Sequence, residues 1–223
     1  MKVILTGCTG FVGGEVLRQC IQNPSISSIV VLSRRQLSGP IAQNPKVAVK
    51  IMQDFLVYPE SLMQDLHGAE ACIWALGKPS MLDLDMYRKI NVEYTMAAVG
   101  AFSEYRTATG ANAKPFRFIY CSGVAAVRDQ ETTLWLLPGM RRIRGQIENE
   151  LVAYQENHPD TMHTYIVRPA MILSPNTTLH SLVFGMVASI KVNVLAKVMV
   201  DLALNGSEEQ IWENSAMIAT AQR

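Results

Sequence analysis

The chain opens with a short apolar run, KVILT, which leads directly into three glycines at three-residue spacing, Gly7, Gly10 and Gly13. The run is rich in β-branched residues and stops at a glycine, which predicts a buried strand. The segment from Phe11 to about Gln22 then carries an apolar stripe at helical spacing. A strand that turns through glycines into a helix begins a strand–helix–strand unit, so this opening favours an α/β fold.

The same alternation continues along the 223 residues. Five further strands are predicted at SSIVVLSR, KVAVKIM, ACIWALG, PFRFIYCSG and HTYIVRPAMIL. The helices between them are predicted at about Pro59–His67, Leu84–Arg106 and Pro138–Asn157. Alternation with short turns predicts a doubly wound parallel sheet with helices on both faces. We expect one domain over residues 1–223, in which residues 174–223 form a small cap over the carboxyl ends of the strands, where such folds bind ligands.

Charge and composition argue against several classes of partner. The formal net charge is only +1, which disfavours bulk electrostatic binding of nucleic acid. No apolar run reaches the roughly 20 residues that span a membrane, because lysines interrupt the nearest approach, residues 179–200. The four cysteines lack metal-ligand spacing and the N-terminus lacks the shape of a signal peptide, so we expect a cytoplasmic protein without a metal site. The expected partner is a small molecule, and a homodimer is compatible with the sequence.

The three glycines suit a loop that binds a dinucleotide. Gly7 permits the tight turn, Gly10 lets the main chain approach a pyrophosphate, and Gly13 lets the helix pack close to the sheet. The helix N-terminus adds unpaired N–H groups and a partial positive charge. A glycine turn needed only for packing would explain Gly13 but not all three glycines. The other candidate cofactor-binding residues of this turn are Thr9, Phe11 and Val12.

The end of the second strand indicates which dinucleotide is bound. An acidic residue at this place would hold the ribose 2′-hydroxyl of NAD. The sequence has LSRR instead, so Ser33, Arg34 and Arg35 offer one hydroxyl and two guanidinium groups. These groups suit a 2′-phosphate, which predicts NADP rather than NAD as the cofactor. The alternative is that one of the two arginines faces solvent on a loop.

From these residues onward the chain resembles the short-chain dehydrogenase/reductase superfamily, and specifically its atypical members, in which GxxGxxG replaces the strict GxGxxG. Within that group it looks most like the small Tat-interacting oxidoreductase-like proteins and their fungal relatives. The resemblance covers nearly the whole chain. It implies a Rossmann fold and a nicotinamide dinucleotide cofactor, but it is not specific for a substrate.

The resemblance also implies roles for residues that follow the later strands. Asp54, in QDF, stands at the position that contacts adenine, and Asn91, in INVEYT, matches an Asn-Val motif of the extended members. Ser122, in CSG, stands at the active-site serine position. Pro169, in VRPAMIL, stands where the main chain lies by the nicotinamide. The loop that passes the adenine ribose is ALG, which comprises Ala75, Leu76 and Gly77.

One departure from the family pattern concerns its catalytic Tyr-x-x-x-Lys. The sequence at this place reads MRRIR, so Met140 takes the tyrosine position and Arg144 takes the lysine position. Methionine has no proton to donate, whereas arginine can bind ribose hydroxyls or stabilise an oxyanion. Ser122, as a hydrogen-bond donor to a carbonyl, and Arg144 are therefore the candidate catalytic residues.

Helix geometry separates the three arginines of this segment. At about 100° per residue, Arg144 lies at the edge of an apolar stripe, Arg141 is lateral and Arg142 points into solvent. Arg144 also precedes Glu148 by one turn, so a surface ion pair between them is the alternative to a role in a site.

Three functions remain open. The first is an NADP(H)-dependent reductase of a small, largely apolar carbonyl compound, whose proton comes from water or from the cap. The second is a redox-neutral isomerase or cyclase, as found in secondary metabolism, and the third is a nucleotide-sensing or scaffold protein. The missing tyrosine favours the last two, whereas the retained serine and an apolar pocket favour an enzyme. His180 of the cap is either a general acid or a surface histidine. The expected pocket residues are Trp135, Leu136, Met171, Leu179, Val183, Phe184 and Met186.

Overall fold

The computed structural model describes residues 1–77, 83–108, 114–177 and 188–221. Its strands are β1 (Lys2–Thr6), β2 (Ser28–Ser33), β3 (Val47–Ile51), β4 (Ala69–Trp74), β5 (Phe116–Cys121), β6 (Met162–Arg168), β7 (Met171–Leu173), β8 (Ser189–Lys191) and β9 (Ile211–Glu213). Its α-helices are α1 (Phe11–Gln22), α2 (Glu60–Asp65), α3 (Leu84–Arg88), α4 (Tyr94–Ala108), α5 (Pro138–Asn157), α6 (Val192–Asn205) and α7 (Asn214–Ala221).

Seven of these strands form one sheet in the order β3–β2–β1–β4–β5–β6–β9, and each neighbouring pair is parallel. The chain starts in the middle of the sheet, extends it to one edge and then returns to build the other half. This order is that of a doubly wound dinucleotide-binding sheet, which confirms the predicted fold class. β9 was not among the predicted strands, and it adds one strand beyond β6.

Each face of the sheet is covered by a helical layer, because alternate residues of every strand point to opposite faces. On one face, Val3 and Leu5 of β1 join a buried cluster that includes Leu17 of α1 and Leu195 of α6. On the other face, Ile4 joins a second cluster with side chains of α2, α4 and α5. The buried strands therefore read as continuous apolar runs, as expected for a parallel sheet covered on both sides.

The long helix predicted after β4 contains a wide turn. α3 continues into a π-helical turn at Lys89–Glu93, and α4 follows without a break in the helical path. A π turn inserts an extra residue into the helical ladder, and such turns occur frequently at functional sites. Here the wide turn contains Asn91, a candidate cofactor-binding residue.

The described part of residues 174–223 differs from the expected cap. α6 packs beside α1 and against β4 and β5, and its buried side chains include Leu195 and Met199. β9 joins the sheet, and α7 packs against α6. α6 carries too broad an apolar surface to lie over strand ends, so it completes a helical layer instead. The predicted cap residues Leu179, His180, Val183, Phe184 and Met186 lie outside the described residues.

In the described ranges, no helix combines the length and the hydropathy that a bilayer span requires. All four cysteines are free thiols, and Cys8, Cys20 and Cys72 are buried.

Candidate functional site

A cavity of about 380 Å³ lies at the carboxyl ends of the central strands. It is bounded by the turn after β1, the loop after β4, the π turn, the start of the β5–α5 loop, α5 and the residues after β6. The described residues that line it are Gly10, Phe11, Val12, Gly13, Ala75, Leu76, Gly77, Asn91, Cys121, Ser122, Gly123, Arg144, Pro169, Ala170 and Ile172. The structure thus brings together predicted site residues from six separate segments of the chain.

At two positions of the first turn, Gly7 and Gly13, neighbouring main-chain atoms leave no room for a side chain. Gly7 has a φ of 71°, and a Cβ atom on it would lie 2.2 Å from the carbonyl oxygen of Ala75. A Cβ atom on Gly13 would lie 2.3 Å from the carbonyl oxygen of Gly7. Neither carbonyl can move without distorting β4 or the turn itself, so both positions exclude a side chain.

Gly10 is different, because packing alone does not require it. A Cβ atom there would approach only the Gly7 carbonyl oxygen, at 3.2 Å, and Gly10 lines the cavity. It also precedes α1, whose first turn has neither a side-chain cap nor an acidic residue. The first N–H groups of α1 have no acceptor within the helix and carry its positive dipole end. An anionic group can therefore come close to the main chain at this point.

A smaller recess adjoins the cavity at Leu76, which lines both. It contains the end of β2, where the main-chain N–H of Arg35 donates to the Ser33 hydroxyl at 3.3 Å. The guanidinium groups of Arg34 and Arg35 have no hydrogen-bond or ion-pair partner among the described residues. The residues that line the recess are Gly7, Thr9, Leu32, Ser33, Arg34, Arg35, Phe55 and Leu76.

Asp54 lies apart from both of these spaces. Its carboxylate accepts a hydrogen bond from the Leu56 main-chain N–H at 3.0 Å. It lines a separate cleft of about 420 Å³ beside β3 and α2. Its neighbour Phe55, in contrast, lines the recess. Contact between Asp54 and an adenine ring stays a prediction.

Asn91 is buried in the π turn, and its amide nitrogen donates to the main-chain carbonyl of Tyr87 at 2.8 Å. A Cβ atom on Gly77 would lie 3.6 Å from the Asn91 amide oxygen. The oxygen therefore faces the loop after β4, at the wall of the cavity.

Ser122 is joined to a buried chain of charged groups. Its hydroxyl donates to the carboxylate of Glu148 at 2.5 Å, and Glu148 is completely buried. The same carboxylate accepts hydrogen bonds from Nε and Nη2 of Arg168. Arg168 also forms an ion pair of 2.8 Å with Glu213. Ser122 therefore presents lone pairs to the cavity, whereas the sequence predicted that it would donate a hydrogen bond to a carbonyl.

Arg144 does not form the predicted surface pair with Glu148. Its Nε donates to the hydroxyl of Tyr87 at 2.6 Å, and Tyr87 is itself buried. One terminal nitrogen, Nη1, would lie 2.5 Å from a Cβ atom on Gly123, so the guanidinium passes directly over that glycine. The alternative of a surface ion pair between Arg144 and Glu148 was wrong, because Arg168 of β6 forms the ion pair with Glu148.

The other two arginines of α5 hold the β5–α5 loop. Arg141 Nε donates to the carbonyl of Ala125 at 3.0 Å, and Arg142 Nη2 donates to that of Thr132 at 3.0 Å. Arg142 is half-buried, so the prediction that it points into solvent was wrong. The loop folds over this side of α5, where Gly145 leaves no room for a side chain against the Val127 carbonyl.

The same loop corrects the prediction for Trp135 and Leu136. Both are exposed, with 96% and 70% of their surface accessible, and they do not line the cavity. Leu137, which follows them, has a φ of 49° and starts α5 from a left-handed conformation. Met140, at the predicted tyrosine position, is not among the lining residues of the described part of the chain either.

Burial controls the ionisation of the groups beneath the cavity. It raises the pKa of the Cys121 thiol to about 11, although the Arg144 charge acts in the opposite direction. It raises the pKa of Tyr120 far above its usual value. Burial lowers the pKa of Arg144, but the hydroxyls of Tyr87 and Tyr120 raise it more, so the guanidinium remains charged. In the part of the chain that the structure describes, no three His, Cys, Asp or Glu side chains gather as a metal site would need.

Three functional residues of this region were not predicted. Tyr87, Glu148 and Arg168 orient Arg144 and Ser122 through side-chain hydrogen bonds. Helical spacing placed Glu148 near Arg144, but spacing cannot show that a residue on β6 competes for it. The clearest available signal was Arg168 itself, a charged residue that directly follows the apolar residues Ile166 and Val167 of β6.

No protein-family model matches the sequence, and no curated protein matches it. Solved structures do share its fold. The PhqB reductase domain from Penicillium fellutanum is 16% identical with a TM-score of 0.70, over 95% of this chain and 66% of that chain. A putative NAD-dependent epimerase/dehydratase from Bacillus halodurans is 18% identical with a TM-score of 0.68, over 96% of this chain and 92% of that chain.

A third similar structure is the UDP-glucose 4-epimerase of Thermus thermophilus in complex with NAD. It is 13% identical with a TM-score of 0.67, over 100% of this chain and 83% of that chain. These likenesses confirm the α/β Rossmann-like fold that the resemblance to the atypical short-chain dehydrogenase/reductase superfamily implied.

Proposed function

We propose that this protein is an NADP(H)-dependent, reductase-like enzyme that acts on a small, largely apolar carbonyl compound. The observation that carries the proposal is the composition of one cavity: the glycine turn forms one end and Ser122, Arg144 and Pro169 form the other. In a doubly wound sheet, this edge is where dinucleotides bind. When bound, the cofactor supplies or accepts a hydride.

The residues that would hold the cofactor fit it. The open surface at Gly10 and the first turn of α1 suit a pyrophosphate. Arg34 and Arg35 are exposed and have no partner in the described ranges, so both are free to bind a 2′-phosphate. No acidic side chain lines the recess beside them. This supports NADP, although one of the structurally similar proteins is a complex with NAD.

The chain's own residues can position a carbonyl group and stabilise charge on its oxygen. Arg144 offers guanidinium N–H groups toward the cavity, which would stabilise negative charge that develops on the oxygen. Ser122 would accept a hydrogen bond from a hydroxyl or N–H group of the substrate, because its own proton is donated to Glu148. The proton that completes a reduction would come from water.

The same geometry favours a second function, a redox-neutral isomerase or cyclase. Met140 supplies no proton, the Ser122 proton is engaged, and the Cys121 thiol is a weak acid with a pKa of about 11. A site poor in proton donors suits a reaction that moves no net proton to the substrate. Assembly of Arg144 and Ser122 in one cavity favours chemistry over a purely nucleotide-sensing role.

Cofactor choice is tested by NADPH fluorescence. We expect fluorescence to rise on mixing, and NADP⁺ to compete better than NAD⁺. A double substitution, Arg34→Ala with Arg35→Ala, should weaken NADP⁺ binding by about 100-fold or more and leave NAD⁺ binding unchanged, since each charge-assisted hydrogen bond is worth about 1.5–3 kcal/mol. Arg18→Ala, which removes an exposed arginine paired with Glu15 on α1, is the control. Equal loss for both dinucleotides would contradict the assignment of NADP.

Reaction type is tested with the NADPH complex. Oxidation of bound NADPH by a member of a panel of quinones and aromatic ketones would support the reductase. A product with the same oxidation state as its substrate, together with no oxidation of NADPH by any compound of the panel, would support the isomerase or cyclase. Binding of NADPH without either result would favour the sensing role.

A further inference from the structure

We propose that the substrate carries a carboxylate beside its carbonyl group, and that Arg144 binds this carboxylate. The inference rests on the proposed function and names the class of substrate for the same site: a 2-oxo acid with an apolar remainder.

Arg144 has a free hydrogen-bonding edge in the cavity. Its Nε is engaged by Tyr87 at 2.6 Å, which fixes the plane of the guanidinium over Gly123. Its terminal nitrogens, Nη1 and Nη2, have no acceptor among the residues that the structure describes. The guanidinium is planar, so these two nitrogens can meet a planar carboxylate with two parallel hydrogen bonds.

No acidic side chain of the protein neutralises this arginine. Glu148, the nearest acid along α5, accepts from Ser122 and is paired with Arg168. All other aspartates and glutamates also lie in the described ranges, since residues 78–82, 109–113, 178–187 and 222–223 contain none. None of them lies within ion-pair distance of Arg144. A half-buried charge without a counter-ion is costly, and an anionic ligand would offset that cost.

The surroundings of Arg144 favour a carboxylate of the substrate over a phosphate of the cofactor. The glycine turn and the recess at Arg34 and Arg35 already provide places for phosphates. Arg144 lies at the other end of the cavity, with Pro169, Ala170 and Ile172 also lining it. One guanidinium edge among apolar groups suits a single negative charge attached to an apolar body.

Tyr87 is a positioning residue in this arrangement. It is buried and is not among the described residues that line the cavity, and its side-chain hydroxyl accepts the hydrogen bond from Arg144. Without that hydroxyl, the guanidinium would lose the bond that holds its free edge toward the cavity.

The probe for the experiment is benzoylformate, an aromatic 2-oxo acid, and its methyl ester is the neutral isostere. Each is titrated by calorimetry into the full-length protein saturated with NADP⁺. We expect the acid to bind about tenfold or more tightly than the ester, because hydrogen bonds to charged groups contribute about 1.5–3 kcal/mol. Arg144→Met should reduce the ratio of the two affinities to near one, while NADP⁺ affinity, measured separately, stays within about twofold. Tyr87→Phe should reduce the same ratio partly.

Three outcomes would overturn the proposal. The first is an ester that binds as tightly as the acid, or no binding of either compound at millimolar concentration. The second is a preference for the acid that survives Arg144→Met. The third is a loss of NADP⁺ affinity of about tenfold in Arg144→Met, which would assign the arginine to a phosphate or a ribose hydroxyl of the cofactor. Failure of the proposed function itself is seen independently, as an absence of NADPH binding to the unmodified protein.

Discussion

The two ends of the cavity are built by different kinds of interaction. At the glycine-turn end, main-chain atoms of the first turn contact one another and the loop after β4, and Gly7 and Gly13 are fixed by carbonyl oxygens. At the opposite end, side chains far apart in the sequence are paired. Arg144 binds Tyr87 across 57 positions, and Arg168 binds Glu213 across 45. A steric requirement therefore maintains the first end, and hydrogen bonds and ion pairs between side chains maintain the second.

This difference predicts which substitutions each end tolerates. The glycine-turn end should be sensitive to added volume. The end that contains Ser122 and Arg144 should be sensitive to loss of one partner in a pair, because the remaining charge would be buried alone.

The largest effect is expected from Arg168→Met. Glu148 has no exposed surface, and Arg168 supplies its only ionic partner among the described residues. Removal of one member of such a pair costs about 3–5 kcal/mol in the free energy of unfolding, because the other charge is left buried. Urea denaturation at neutral pH measures this loss.

The matched control is Glu213→Gln, at the exposed end of the same chain of charges. Arg168 keeps Glu148 in that variant, and Glu213 is 49% exposed, so the cost should remain below about 1 kcal/mol. Equal losses in the two variants would show that the burial of Glu148 does not determine the stability of this end.

A change of comparable size in the free energy of unfolding, but one that depends on pH, is expected from the Cys20 thiol of α1. Burial raises the pKa of this thiol to about 12, whereas an ordinary cysteine titrates near 9.0. Between these values the unfolded chain loses the proton and the folded protein keeps it. The folded state then binds more protons, so stability falls as pH rises, by about 1.4 kcal/mol per pH unit for this one group.

The measurement is urea denaturation at several pH values from neutral to the alkaline limit, with Cys20→Ala beside the unmodified protein. At neutral pH the variant should have a lower free energy of unfolding than the unmodified protein by a constant amount, because removal of the sulfur leaves a small cavity. Above pH 9 its free energy of unfolding should fall less steeply with pH than that of the unmodified protein. Cys121→Ala should show the same change of slope only up to about pH 11. Parallel curves for all three proteins would contradict the prediction.

The contrast between the two ends also explains how much of the site the sequence could predict. The glycine turn is local, because spacing along a few residues determines which atoms meet, so Gly7, Gly10 and Gly13 could be assigned from the sequence pattern. The parallel sheet with helices on both faces followed equally well from the alternation of strands and helices with short turns. The sheet and its helical layers are confirmed on this basis.

The opposite end could be predicted only in part. Ser122 and Arg144 were identified from motif positions, but their partners Glu148 and Tyr87 depend on how α5 and α3 pack in three dimensions. The exposed Trp135 shows the same limit. Its direction depends on the path of a loop that tertiary hydrogen bonds hold, and no periodic pattern reports that path.

The smallest expected effect concerns two neighbouring glycines in the first turn of α1, Gly13 and Gly14. Gly13→Ala places a methyl group 2.3 Å from the Gly7 carbonyl, so the turn must shift, at a cost of about 1–3 kcal/mol in the free energy of unfolding. The shift moves the first N–H groups of α1, so NADPH binding should weaken as well. Gly14→Ala meets only the Cys8 carbonyl, at 3.3 Å, and gains helix propensity, so stability should change by less than about 1 kcal/mol. Similar stability and similar NADPH affinity in the two variants would mean that close main-chain packing does not maintain the glycine-turn end.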